Sequence, residues 1–291
     1  MAVWLDGTRH DAPTIPLDPA DRGLLLGDGV FDTALVLGGR VACRDAHLER
    51  LARACETLGF APDMELAGRM IDAAAADAGT GSVRLTATRG AGPRGLAPPA
   101  ATRPTLIVSN AAGPPAAAFA PLRLGWSAIR RNETSPTSRL KTLNYLDGVL
   151  AFQAAKREGF DEALFLNTAG RVASAATGNV FALRDGELAT PPLADGVLPG
   201  IVRAELLDLA RRAGLQAREA SLVPGDLLAA DAVFVTSSLR LLAPATAIGG
   251  EALAVRGGST LRRLAALLRE AIAAECGAEA GCTLGADAWT F

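Results

Sequence analysis

The pattern of apolar and polar positions changes period several times along the chain. Residues 3–10, VWLDGTRH, set two short runs on either side of an Asp-Gly pair, which predicts a tight β-hairpin. Residues 31–43, FDTALVLGGRVAC, predict a second strand pair turning at Gly38 and Gly39. In residues 45–59, DAHLERLARACETLG, Leu48, Leu51, Ala52 and Cys55 recur at i, i+3, i+4 and i+7. That spacing predicts an amphipathic helix with Asp45 as its cap. Residues 64–78 predict a second helix, VRLTATRG a strand and TLIVSN a buried strand. The order ββ-α-α-ββ predicts an α+β lobe.

The pattern lapses over residues 110–121, NAAGPPAAAFAP, which are small, Pro-rich and without a period. This stretch reads as a linker (111–121) between a first lobe, 1–110, and a larger second lobe, 122–291. In the second lobe a strand is expected near 122–128, then a helix from Asn144 to a C-terminal glycine, Gly159. EALFLN and NVFAL predict strands, the latter leading into the turn RDGEL. GIVRAELLDLARRAG predicts a helix, AVFVTSS a strand and residues 258–275 the last long helix. Beyond about residue 276 the pattern fades and a loose tail is expected.

Composition narrows the function classes. The 291 residues are 49% apolar and 21% charged, enough for a sizeable core. A net charge of −2 offers no basic excess for a phosphate backbone, so nucleic acid is not an expected partner. No run of 18 apolar residues suggests a membrane span. The N-terminus lacks the basic start and apolar run of a signal peptide. The four cysteines have no CxxC spacing and read as cytoplasmic thiols. Two distant histidines argue against a metal site, and no GxSxG elbow supports a serine triad.

Candidate chemistry starts in SRLKTLNYLDG. Lys141 and Lys156 are the only lysines among 29 basic residues, and Tyr145 is the only tyrosine. Lys141 reads either as a solvated lysine at a helix entry or, given Leu140, Leu143 and Leu146 beside it, as a half-buried amine able to act as a nucleophile. Such an amine can form a Schiff base with an aldehyde cofactor. Lys156 reads as surface. In GVLPGIVR, Gly200 precedes an amphipathic helix whose first N–H groups make an anion site. The hydroxyls of VTSS and the guanidinium of Arg50 are further candidates for the same anion.

An amine, a phosphate cradle and a cation are what pyridoxal phosphate (PLP) requires. With LLGDGVFDT, HLERL, RGAGPRG, KTLNYLDGVLA, DEALFLNTAGRV, GNVFAL and LPGIVR in this order, the chain resembles the class IV aminotransferases. These are the fold-type IV PLP enzymes, and the resemblance spans about residues 4–250. It implies a two-domain D-amino acid aminotransferase-like fold, α+β and α/β, with a small N-terminal α+β lobe and a larger PLP-binding lobe. A homodimer is implied too.

The resemblance implies roles residue by residue. Lys141 matches the Schiff-base lysine, which also moves the substrate proton. Arg50 matches the phosphate-binding arginine. Ile201 and Val202 match residues that give backbone N–H groups to the phosphate, although many relatives carry threonine at Val202. Ser238, with Ser237 beside it, matches a phosphate-binding hydroxyl, and Leu198 the residue packed on the pyridine ring. Tyr145 resembles a tyrosine near the cofactor's O3′, with a spacing one residue shorter; a core tyrosine is the alternative. Arg94 resembles the arginine that D-amino acid enzymes offer to the substrate carboxylate. Arg94 or Arg89 bracing a turn is the alternative. Leu96 and Phe31 stand where those enzymes have histidine and tyrosine. Ser174 stands where relatives have the glutamate that keeps the pyridine nitrogen protonated.

Three readings follow from the resemblance. One is a transaminase acting on an amino acid, of D type or small and carboxylate-bearing, and a 2-oxo acid. Another is aminodeoxychorismate lyase, which eliminates pyruvate to leave 4-aminobenzoate. The third is a catalytically idle PLP-binding homologue. Ser174 leans toward elimination.

Overall fold

The computed structural model describes residues 2–11, 14–253, 255–277 and 283–284. The tail expected beyond about residue 276 lies almost wholly outside them. The chain divides into two compact units. The first comprises Met1–Pro115, Leu140–Asn144 and Ile272–Thr283, and the second Ala116–Arg139, Tyr145–Ala271 and Leu284–Phe291.

The first unit is built on an antiparallel sheet. Strands β1 (Val3–Leu5) and β2 (Thr8–His10) form the expected hairpin, with positive φ at Asp6 (46°) and Gly7 (89°). That turn matches the twist of the flanking strands. Helix α1 (Arg22–Leu26) is followed by β3 (Gly29–Leu37) and β4 (Arg40–Val41). Two helices, α2 (Arg44–Leu58) and α3 (Met64–Ala78), precede β5 (Gly81–Thr88) and β6 (Thr105–Ala112). The sheet order is β2-β1-β6-β5-β3-β4. Val36, Leu51, Cys55, Ala67, Ala74 and Val108 belong to its core.

Helix α2 differs from expectation in two ways. Asp45 lies in the first turn and does not cap it; the N-cap is Cys43, in the left-handed region at φ 52°. The open N–H groups of Cys43 and Arg44 instead donate to the carboxylate of Glu275, at 2.7 and 3.2 Å. A remote carboxylate with two oxygens satisfies two donors where a local side chain meets one. The buried face carries His47, Arg50, Leu51, Ala54 and Cys55, while Ala52 is half-buried. The face is rotated because Asp32 on β3 draws His47 and Arg50 inward.

A later segment joins the start of β3. The N–H of Phe31 donates to the carbonyl of Lys141 at 2.9 Å, and that of Leu143 to Gly29 at 3.0 Å. Val30 and Thr142 form a bridge between the two pairs. These bonds gather Leu140–Asn144 into the first unit, although by sequence it sits inside the larger lobe.

The second unit holds β7 (Leu122–Trp126), α4 (Leu146–Arg157), β8 (Glu162–Leu166) and β9 (Val172–Ala175). Next come β10 (Asn179–Arg184), β11 (Glu187–Thr190), α5 (Ile201–Arg212) and β12 (Gln216–Glu219). The rest is α6 (Pro224–Leu228), β13 (Ala232–Ser237), β14 (Leu241–Ile248), β15 (Glu251–Ala252) and α7 (Gly258–Cys276), whose end belongs to the first unit. The strands form one mixed sheet, ordered β12-β11-β10-β13-β14-β7-β8-β9, with β15 paired to β14. At its centre Phe181 and Phe234 stack with ring centroids 5.0 Å apart.

Candidate active site

Strand β3 alternates, so Phe31 and Asp32 project to opposite faces. On one face the Asp32 carboxylate accepts from Arg50 Nε (2.8 Å), Arg50 Nη2 (2.6 Å) and His47 Nδ1 (2.7 Å). All three residues are buried. Burial alone would raise the pKa of Asp32, but the hydrogen bonds and charges of His47 and Arg50 hold it well below the usual carboxylate range. Residues 47 and 50 are neighbours on a helix face, so one carboxylate orients both. On the other face, the ring of Phe31 has Lys141 Nζ 4.4 Å and Arg84 Cζ 3.6 Å from its centroid. A half-buried amine and a guanidinium thus share one aromatic ring.

Arg94 and Leu96 lie on the loop that follows β5, and Leu96 is 85% exposed. Arg22 fastens that loop by donating to the carbonyls of Gly95 (3.0 Å), Leu96 (3.0 Å) and Ala97 (3.3 Å). Asp28 accepts from both Arg22 and Arg89 at 2.8 Å. Arg89 braces a turn through the carbonyls of Leu58 (2.5 Å) and Gly59 (3.0 Å). Arg94 is exposed on this loop, as is Arg103.

In the second unit, Gly200 is the N-cap of α5 and no side chain caps the helix there. The first-turn N–H groups of Ile201 and Val202 therefore keep their anion-binding character. Asn179 supports the turn: its Nδ2 donates to the carbonyl of Leu198 at 2.9 Å. A Cβ on Gly200 would lie 1.9 Å from Asn179 Oδ1. Asn179 is the register partner of Thr236, so both side chains leave the sheet on the same face. Thr236 is buried, and its Oγ1 has no hydrogen-bond partner. Ser237 and Ser238 continue from Thr236, and Ser237 Oγ accepts from the Arg240 N–H at 3.2 Å.

Ser174 lies on β9, 8% exposed, opposite Phe165 of β8. Tyr145 is the N-cap of α4, and its ring packs against Gly148. Glu162, at the start of β8, is fully buried; Thr177 Oγ1 donates to its Oε2, and the Ala163 N–H to its Oε1 at 2.9 Å. Burial outweighs these bonds and raises its pKa.

Residues 29–248 match the family model described as amino-transferase class IV. The chain belongs to this family. It is 30% identical over 277 residues to a bifunctional aminodeoxychorismate lyase / D-amino acid transaminase of Mycobacterium tuberculosis, covering 87% of this chain and 93% of that one. The crystal structure of 4-amino-4-deoxychorismate lyase from Pseudomonas aeruginosa superposes with a TM-score of 0.81 at 32% identity, over 92% of this chain and 98% of that one. The branched-chain aminotransferase of Thermoproteus uzoniensis, solved with norvaline, gives a TM-score of 0.83 at 25% identity, over 94% and 95%. The class IV chain is thus an enzyme with the fold-type IV architecture.

The class IV family uses PLP, and the residues here fit that group. The uncapped start of α5 and the orphaned Thr236 hydroxyl suit a phosphate, and a half-buried amine suits an aldehyde. Within the first unit the structure brings Lys141 to Phe31, and sets Arg50 on Asp32. Within the second it joins Leu198 and Gly200 to Asn179, and Asn179 to Thr236. Sequence reasoning missed Asp32, His47, Arg84 and Asn179; Thr236 belongs to VTSS, whose hydroxyls the sequence already offers to the anion. The i, i+3 spacing of His47 and Arg50 is the signal that could have found the first two. Arg84 reads in sequence as an ordinary outward strand residue.

Proposed function

We propose that this class IV enzyme uses pyridoxal phosphate, held by Lys141, to move an amino group between an amino acid and a 2-oxo acid. The observation that carries this reading is the half-buried Lys141 Nζ over the Phe31 ring, which the Arg84 guanidinium also covers. PLP, when bound, supplies an aldehyde and an electron-withdrawing ring. Lys141 is the attachment point, and its Nζ takes the proton from the substrate's α-carbon and returns it. The groups proposed for the phosphate are, in the first unit, Arg50, fixed by Asp32, and, in the second, the N–H groups of Ile201 and Val202 and the hydroxyls of Thr236, Ser237 and Ser238. Leu198 packs on the ring, Tyr145 lies near its O3′, and Ser174 takes the ring nitrogen. Arg94 receives the substrate carboxylate in a pocket bordered by Phe31 and Leu96. A small D-amino acid is the donor favoured by Arg94.

The test is spectroscopic. Purified protein reconstituted with PLP should be yellow, and borohydride should fix the cofactor on Lys141. D-Alanine should then convert the bound cofactor to its amine form. An unchanged spectrum with both D- and L-amino acids would sink the transaminase reading. Elimination of pyruvate from aminodeoxychorismate is the second reading. Ser174 favours it, and so do relatives named as lyases. Pyruvate release without amine transfer would make it the answer.

The same reading takes the enzyme as a cytoplasmic homodimer. Cys55 and Cys276 are free thiols, which suits a reducing compartment. Leu24 and Leu25 in the first unit, and Leu146 in the second, are each more than half exposed, at 62%, 55% and 68%. Apolar surface of this kind suits a subunit interface. Among the described residues no helix is long and apolar enough to cross a membrane.

A further inference from the structure

Arg131 has no part in the reading above, yet it is a half-buried cation on the same face of the sheet as Ser174. Its guanidinium lies 4.1 Å from the centroid of the Phe165 ring. Phe165 and Ser174 are direct partners across β8 and β9. Paired residues on neighbouring strands project to the same face, so the guanidinium and the Ser174 hydroxyl share a neighbourhood. The register shifts between Phe165 and Leu166, so a bulge lies beside Ser174. Bulges re-aim side chains and are common next to active sites.

The charges around Ser174 are lopsided. Burial lowers the pKa of Arg131, and the groups that act in the opposite sense are Tyr145 and Asp147. Asp147 is exposed and screened by solvent. Helix α4 packs on this face through Ala151, Ala155, Ala163, Phe165 and Ala176, and none of these carries a charge. Its N-terminus, at Tyr145, adds a positive dipole end. Glu162 precedes Phe165 by three positions, so it projects to the opposite face of β8. A cation drawn partly out of water without a close anion is costly and is retained where it acts on something.

We propose that Arg131, with the Ser174 hydroxyl, keeps the pyridine nitrogen of the bound cofactor free of its proton. The proposal rests on the PLP reading, in which Ser174 takes the ring nitrogen. A hydroxyl donates to an unprotonated nitrogen, and a guanidinium close by disfavours a second positive charge there. The ring then draws electrons less strongly than a protonated one. Reactions whose leaving group relieves the carbanion suffer less from this than amine transfer does.

The experiment uses full-length protein reconstituted with pyridoxal phosphate labelled with 15N in the ring, read by 15N NMR. Borohydride reduction and peptide mass mapping first establish the attachment to Lys141. In the wild type the ring nitrogen should resonate in the unprotonated range from mildly acidic to mildly alkaline buffer. In Arg131→Gln it should move toward the protonated range as the buffer is acidified. A wild-type signal in the protonated range overturns the proposal and needs no variant. An Arg131→Gln signal that follows the wild type at every pH also overturns it. If borohydride fixes no cofactor on Lys141, the PLP reading itself fails, and the proposal with it.

Discussion

Asp32 and Arg50 form a buried, two-pronged ion pair in the first unit, with Arg50 Nε at 2.8 Å and Nη2 at 2.6 Å from the carboxylate. The pair fixes the direction of the guanidinium that is proposed to hold the phosphate. Asp32→Asn would leave Arg50 buried without its anion, at a cost of about 3–5 kcal/mol. Thermal unfolding should report that loss, and a PLP titration should show weaker binding.

The same pair sets an acid limit. Asp32 has a lower pKa folded than unfolded, so its contribution is complete above about pH 3.9, the ordinary aspartate value, and fades as pH falls below it. The stability gap between the wild type and Asp32→Asn should therefore narrow in acid. A gap that stays constant down to the acid transition would contradict the assignment.

Gly200→Ala should damage the start of α5. The new Cβ would meet Asn179 Oδ1 at 1.9 Å and its Cγ at 3.0 Å. Asn179 is buried and tied to the Leu198 carbonyl, so it has little room to move. A loss of about 1–3 kcal/mol is expected, together with weaker PLP binding. Unchanged unfolding and unchanged affinity would show that the turn has slack.

Thr236→Val should separate folding from binding. The Oγ1 of Thr236 is buried and unpartnered, so an apolar group of the same shape should leave the free protein equally stable or slightly more so. A hydrogen bond to a charged phosphate is worth about 1.5–3 kcal/mol, so affinity for PLP should fall about tenfold or more. Equal affinities in the two proteins would remove Thr236 from the phosphate site.

Glu162→Gln should change the pH profile of stability in the opposite sense to Asp32. Burial raises the Glu162 pKa, so the folded protein holds this proton more tightly than the unfolded chain does. The contribution is complete below about pH 4.3 and is lost as pH rises through the folded value. The glutamine variant should gain on the wild type as pH rises from about 4 through the raised folded value of Glu162. Melting temperatures of both across that range are the check.

Ser174→Glu should raise the rate of amine transfer, by about tenfold if the carboxylate takes about 1.4 kcal/mol off the barrier. Stopped-flow spectra of the bound cofactor mixed with D-alanine give this rate. A clear fall would mean that the site is built around the hydroxyl.

Several elements were legible because their signals are local. The Asp-Gly hairpin, the α3 pattern and the Gly159 end of α4 depend on neighbours within a few positions. Strand β14 was not legible: Pro244 sits inside it, paired with Phe234, where sequence pattern argues against a strand. Lys141 stood out because lysine is so rare here, but its hydrogen-bonded attachment to β3 depends on residues more than a hundred positions earlier. The polar inner face of α2 was hidden for a similar reason. Histidine and arginine read as outward residues until Asp32, on another element, supplies the partner that lets them turn inward.

The carboxylate of Glu275 closes the start of α2 from 232 positions further along the chain. During synthesis the N-terminal part of the protein emerges first, so α2 begins without its cap. A product released before Glu275 would leave the first donors of that helix open, and with them the support of His47 and Arg50. The setting of Arg50, the arginine proposed to hold the phosphate, is thereby linked to synthesis past Glu275, and a chain that stops before it should carry its lysine yet hold PLP loosely.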